Sequence, residues 1–190
     1  QRAIVLSVSS SSGIVCKGSI VPASIVGYDN QSGFGLVRTV RPLDARPIEI
    51  GSSAALQERE SVIIAAQGGL SQAISGRVVS KREFAGSWEY LLDEAIFTSP
   101  LHPNWSGAAV IGTDDGKLRG IGSLFIQEVA SGQDAVPGNM FVPIDILKPI
   151  YFHLLANGRA PGAPRPWLGM YTTEALGKLF VTGVSPGGPA

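Results

Sequence analysis

Leu101-His102-Pro103-Asn104-Trp105-Ser106-Gly107-Ala108-Ala109-Val110 is the stretch on which the reading of this chain turns. A serine sits in a tight turn, small residues follow it, and an apolar, β-rich run begins at once. Short strands of the same kind recur on both sides. Ala3 to Val8, Gly13 to Cys16, Gly18 to Val21, Ala23 to Gly27 and Gly35 to Val40 read as strands before it. The serine cluster Ser9 to Ser12 breaks the first from the second, and Lys17-Gly18 turns a hairpin. Pro42 to Gly51 reads as a connector. Ser61 to Ala66, Gln72 to Ser80, Glu94 to Thr98, Gly107 to Ile111, Leu118 to Ile126 and Met140 to Ile144 continue the series. Asp114-Asp115-Gly116 marks a further hairpin turn.

One helix is expected after these strands. Asp145 stands where a cap belongs, Ile146, Ile150 and Leu154 recur at a spacing of four, and Asn157-Gly158 supplies the stop. Pro149 falls in its first turns, where a missing N–H is tolerated. Ala160-Pro161-Gly162-Ala163-Pro164-Arg165-Pro166 then reads as a stiff linker. Trp167-Leu168-Gly169-Met170 and the run Lys178 to Val184 open a second module that is too short to fill a core of its own.

Composition agrees with an all-β protein. With 24 Gly and 13 Pro in 190 residues, turns are many and helices few, while 44% hydrophobic residues suffice for a real core. The 15 basic residues balance 15 acidic ones without a basic stripe, so no nucleic acid partner is expected. No apolar run approaches the ~18 residues of a membrane span. The single Cys16 excludes an internal disulfide framework and reads as a buried structural thiol. No metal-ligand cluster, phosphate loop or nucleotide signature is present, so neither a metal nor a cofactor is expected.

Taken in order, the segments from about Pro22 to Ala190 resemble the HtrA (Deg-like) family of trypsin-fold serine proteases with a C-terminal PDZ domain. Val26-Gly27-Tyr28-Asp29 and Phe34-Gly35-Leu36-Val37 resemble the family's Val-Gly-x-Asp and Asp-Leu-Ala-Val-Leu strand pair. Ile50-Gly51-Ser52-Ser53 is similar to the Leu-Gly-Asp-Ser that opens its second barrel, and Val142-Pro143-Ile144-Asp145 to the Ile-Pro-Ile-Asn before its connecting helix. Arg165-Pro166-Trp167-Leu168-Gly169 and Val184-Ser185-Pro186-Gly187-Gly188-Pro189-Ala190 are similar to pieces of its PDZ domain.

The resemblance implies a double antiparallel β-barrel of trypsin type with the first barrel incomplete, a C-terminal helix and the start of a PDZ domain. In residues, that is 1–50 for the remnant of the first barrel, 51–158 for the second barrel and helix, 159–164 for a linker and 165–190 for the PDZ start. It makes Ser106 the nucleophile position and the N–H groups of Asn104 and Ser106 the oxyanion hole. It also makes Trp167, Leu168, Gly169 and Met170 the loop that offers N–H groups to a peptide's C-terminal carboxylate.

The departures from the family carry the functional question. Gly33 occupies the position of the catalytic acid. Val21 joins Pro22 directly, where the family inserts a short helix bearing its histidine. Asn104 replaces a glycine in the oxyanion hole, Trp105 precedes the serine, and Ala108-Ala109 replace Gly-Pro. Trp105 is expected to pack against neighbouring loops. A serine hydroxyl needs an adjacent base, and the chain holds two histidines, His102 and His153, neither placed for that work. The carboxylates Asp29, Asp44, Asp93, Glu94, Asp114 and Asp115 read as turn and capping residues.

Three readings stay open: a degenerate protease that binds peptide or protein, an active serine endopeptidase acting on unfolded proteins, and a scaffold for the PDZ module. The expected partners are peptides or unfolded proteins, including C-terminal peptides. The family's frequent trimeric state makes a homo-oligomer, and its frequent envelope location a periplasmic setting, expectations from resemblance alone.

Overall fold

The computed structural model describes residues 3–7, 13–86, 91–129, 136–163 and 166–189. The strand end at Val8, the break at Ser9–Ser12, and Pro164, Arg165 and Ala190 lie outside them. Lys17 (φ 48°) and Gly18 (φ 77°) are both left-handed, which makes the type I′ turn that matches strand twist. They join β2 (Gly13–Cys16) to β3 (Ser19–Tyr28). Two separate strands were expected here, at 18–21 and 23–27. They are one, because β3 changes partner at Pro22: Ser19 to Pro22 pair with β2, and Ala23 to Tyr28 pair with β4 (Phe34–Thr39). β4 also pairs with β1 (Ala3–Ser7), giving an open antiparallel sheet in the order β1-β4-β3-β2.

Six further strands close into an antiparallel barrel. They are β5 (Ser61–Ala65), β6 (Ile74–Ala85), β7 (Leu91–Ser99), β8 (Ala109–Gly112), β9 (Leu118–Ile126) and β10 (Gly138–Pro143), in the spatial order β10-β7-β6-β5-β8-β9. One closed barrel beside an open four-stranded sheet is the trypsin-like β architecture expected, with the first barrel incomplete.

Alternation along two strands builds two cores at once. On β7, Ile96 joins Val62, Ile64, Val78 and Val110 in one cluster, while Ala95 and Phe97 join another. On β10, Phe141 belongs to the first cluster, and Met140 and Val142 to the second. That second core also holds Phe34 and Leu36 of β4 and Leu147 and Leu154 of α1 (Leu147–Asn157). The open sheet and the helix are therefore fastened to the barrel by the outward faces of its own strands.

Helix α1 ends as expected, with Gly158 at φ 72° and its N–H bonded to Leu154 O at 3.1 Å. The Gly158 carbonyl accepts the Tyr28 N–H at 3.1 Å. A Cβ on Gly27 would lie 2.7 Å from Leu154 O, so this glycine sets how closely β3 and α1 approach. The helix start differs from expectation. Asp145 lies in a 3₁₀ turn (Ile144–Ile146) and caps nothing. Its carboxylate instead accepts the Ser52 hydroxyl and the Ala54 N–H, each at 2.9 Å, and pairs with Lys148. The Asp145 N–H donates to Ser53 Oγ at 3.2 Å. Asp145 thus clasps the loop that enters the barrel to the segment that leaves it.

Cys16 also departs from its reading. It is half-buried, with Sγ 4.0 Å from the Asp44 carbonyl and beside the exposed Lys17–Asp44 ion pair. Residues 161–190 form a separate unit, whose two strands β11 (Met170–Ala175) and β12 (Lys178–Val184) make an antiparallel hairpin.

The Asp145 clasp predicts an acid sensitivity. Partial burial pushes this carboxyl up, but Lys148, the Ala54 N–H and the Ser52 and Ser53 hydroxyls outweigh it and hold it well below the ordinary carboxylate range. A group depressed in the folded state contributes stability above its unfolded pKa and loses it as pH falls. Asp145→Asn is therefore expected to cost about 1 kcal/mol at pH 7, kept small by the group's partial exposure. That corresponds to a Tm drop of about 2–4 °C for a chain of this size. The gap should narrow below about pH 4, and an equal loss at pH 7 and pH 3 would contradict the clasp.

Candidate functional site

The loop that carries Ser106 runs from the end of β7 to the start of β8 and is held by groups that reach it from other elements. His102 is 1% exposed. Its N–H donates to Asn139 Oδ1 at 2.7 Å, and Asn139 Nδ2 donates back to the His102 carbonyl at 3.4 Å. Asn139 is fully buried on β10. The ring is committed as well. Nδ1 accepts the Asn104 N–H at 3.0 Å, so it carries no proton, and Nε2–H is left to donate to Gln72 O at 2.9 Å. Gln72 ends the 3₁₀ turn Gly69–Gln72. Both ring nitrogens thus serve the architecture of the loop.

Trp105 to Ala108 form a β-turn closed by Ala108 N–H to Trp105 O at 3.0 Å. Gly107 at φ 73° supplies the left-handed third position that a type II turn needs. Ser106 sits at its tip and is exposed. Neither its N–H nor its Oγ has a hydrogen-bond partner among the described residues. The turn is stitched to β9 by Gly107 N–H to Gly122 O at 2.9 Å and Gly122 N–H to Ala108 O at 2.7 Å. A Cβ on Gly122 would overlap the Trp105 carbonyl oxygen. Trp105 is half-buried and Asn104 exposed.

Gly33 lies in a different local structure, the turn between β3 and β4. Its φ of 73° is left-handed, and its N–H donates to Asp29 O at 2.9 Å. Asp29 is buried, and its Oδ2 accepts both the Ser32 N–H at 3.0 Å and the Ser32 hydroxyl at 2.6 Å. That carboxylate closes its own turn. His153 is exposed on α1. Among the described residues no cluster of three His, Cys, Asp or Glu side chains could hold a metal ion.

In the second unit Trp167 and Leu168 are exposed, and Met170 is the first residue of β11. Gly169 is left-handed at φ 68°, and its carbonyl accepts the Ser185 N–H at 2.7 Å. The N–H groups of Leu168 and Gly169 make no hydrogen bond among the described residues.

A family model for the trypsin-like peptidase domain matches residues 6–121. The chain belongs to that family. It is 28% identical over 188 residues to the serine protease PepD of Mycobacterium tuberculosis (strain ATCC 25618 / H37Rv), a match that covers 91% of this chain and 40% of PepD. Among solved structures, the HtrA-type protease AlgW with decapeptide superposes with a TM-score of 0.65 at 16% identity, covering 98% of this chain and 61% of that one. Deg5 gives 0.54 at 20% identity, covering 75% and 65%. The chain thus spans less than two thirds of each. The fold is that of HtrA-type trypsin-like proteins.

Within this HtrA-like frame two residues of the loop's support escaped sequence reasoning. Gln72 acts through its carbonyl, which any residue could supply. Asn139 is one polar residue in an apolar strand, and that isolation was the available signal. The tight seat of the turn gives a test by substitution. Gly122→Ala should cost about 2–3 kcal/mol through overpacking against Trp105. Gly116→Ala, in an open turn with nothing within 4 Å of the added atom, should cost only the backbone strain of about 1–2 kcal/mol. Urea denaturation of both variants would check the order, and a costlier Gly116→Ala would contradict this seating of the Ser106 turn.

Proposed function

We propose that this chain is a degenerate HtrA-like protease homologue whose serine is not activated and which acts by binding peptide or protein. The observation that carries the reading is the commitment of His102. A general base must be free to take a proton from the nucleophile, and here each ring nitrogen is held by a backbone group, Nδ1 by the Asn104 N–H of the loop and Nε2 by the Gln72 carbonyl of the 3₁₀ turn. The chain's other histidine, His153, is exposed on α1.

Three further features support the same reading. β3 runs unbroken from Ser19 to Tyr28, through the point where the family inserts its histidine-bearing helix. The position matched to the acid is the left-handed Gly33. The Asn104 N–H, one of the two expected oxyanion donors, is bonded to His102. Loss of the acid typically costs about 10⁴ in turnover, and loss of one oxyanion donor about 10²–10³. These factors do not multiply, yet either alone takes turnover far below that of an intact triad.

For the binding role, the AlgW structures with a decapeptide and a tripeptide show that HtrA-type relatives hold peptides. The N–H groups of Leu168 and Gly169 beside β11, which make no hydrogen bond among the described residues, suit a carboxylate terminus, with the peptide adding a strand to the hairpin.

A second reading, an active endopeptidase, is favoured by the exposed and unbonded Ser106 in its retained turn. Fluorophosphonate labelling of the full-length protein separates the two, with Ser106→Ala and an active HtrA protein as controls. No labelling is expected where the active protein reacts. Labelling that disappears in Ser106→Ala would establish an activated serine and end the degenerate reading. Restoring the acid should not help: Gly33→Asp is expected to cost about 1–2 kcal/mol in left-handed strain and to leave labelling absent.

A further inference from the structure

We propose that His102 is the positioning residue of the Ser106 loop, and that its Nδ1 holds the Asn104 N–H inward, so that an anionic oxygen beside Ser106 meets the Ser106 N–H without its expected companion. The direction of the Asn104 N–H follows from burial. Its acceptor belongs to a side chain 1% exposed, so the bond points from an exposed residue into the protein.

The acceptor itself cannot turn away. A ring flip about χ2 would remove Nε2 from Gln72 O and Nδ1 from Asn104 together, leaving buried polar groups unpaired. The His102 backbone is fixed on both sides by the Asn139 amide. Four hydrogen bonds therefore set one orientation of the 102–104 segment. The geometry is an Asx-turn with imidazole as acceptor, a side chain bonding the N–H two residues ahead. The consequence is chemical selectivity: the loop offers little to a tetrahedral oxyanion and leaves Ser106 as a neutral polar contact. The orientation stands on geometry alone. Its meaning for function rests on the reading of Ser106 as unactivated.

The test uses ¹⁵N-labelled full-length protein, with amide hydrogen exchange at Asn104 and the ring ¹⁵N spectrum of His102 as readouts. A bare Nδ1 and a protonated Nε2 are expected, with a protected Asn104 amide. His102→Asn keeps an acceptor at the same reach and should preserve that protection. His102→Leu removes the acceptor and His102→Gln carries it one bond too far, and both should speed Asn104 exchange on the order of 100-fold, as local opening replaces a buried bond. The Gly107 and Gly122 amides, bonded between the turn and β9, report whether each variant remains folded. If His102→Leu loses them, the contrast between His102→Asn and His102→Gln decides. An Asn104 amide that exchanges as an open one in the parent protein overturns the proposal. So does protection that survives in a folded His102→Leu or His102→Gln. Fluorophosphonate labelling of the parent protein in parallel would overturn the unactivated serine while leaving Asn104 exchange to judge the latch by itself.

Discussion

Burial of both faces of β7 and β10 is the constraint from which the rest of the first unit follows. A strand with one apolar face is locked in register, because a slip of one residue would turn that face to water. β10 has no such lock, since all six of its residues are buried. A slip would exchange Met140 and Phe141 between two apolar cores at modest cost. Register is instead set by the residues that tolerate only one environment. Asn139 is fully buried and needs both backbone groups of His102. Gly138, Gly120 and Gly122 stand where a side chain would strike the backbone of Thr98, Val142 and Trp105. The barrel is thus specified by a few polar and glycine positions set in an apolar ground.

On the proposed reading, that division explains how a protease-like loop can persist without protease chemistry. The Ser106 turn is held by Gly107, Ala108 and Gly122 through backbone bonds, and by His102 through bonds to the Gln72 carbonyl and the Asn139 amide. None of these needs an acid or a general base. On the proposed reading, the support of the loop and the chemistry once performed on it depend on different residues. The second can then be lost while the first remains.

The strands were legible because they are short, apolar and punctuated by glycine, and β9 appears over the span read for it, Leu118–Ile126. The helix stop at Gly158 was legible for a similar reason, since a left-handed C-cap is a local event. What failed was long-range. Asp145 has the right chemistry for a cap, but Ser52 and Ala54, more than ninety residues earlier in sequence, bind it first. The sequence reads as two strands, 18–21 and 23–27, on either side of Pro22. The strand continues because that is where it passes from one partner to another. His102 reads from the sequence as a loop residue, and its two ring partners, one local and one in the 3₁₀ turn, could not be inferred from spacing.

On the proposed reading, the turn around Gly33 shows what kind of change would separate this chain from catalytic relatives. A lost side chain alone would leave a backbone ready to receive it again. Here the backbone is closed on itself: Gly33 is left-handed, its N–H closes onto Asp29 O, and the nearby carboxylate of Asp29 is spent on Ser32. β3 is likewise continuous from Ser19 to Tyr28, and at Asn104 the N–H is turned to a buried imidazole. Each site satisfies its own hydrogen bonds as it stands. On the proposed reading, a gain of hydrolysis would have to break those bonds before any catalytic group could act, and would require coordinated changes at three separated parts of the chain.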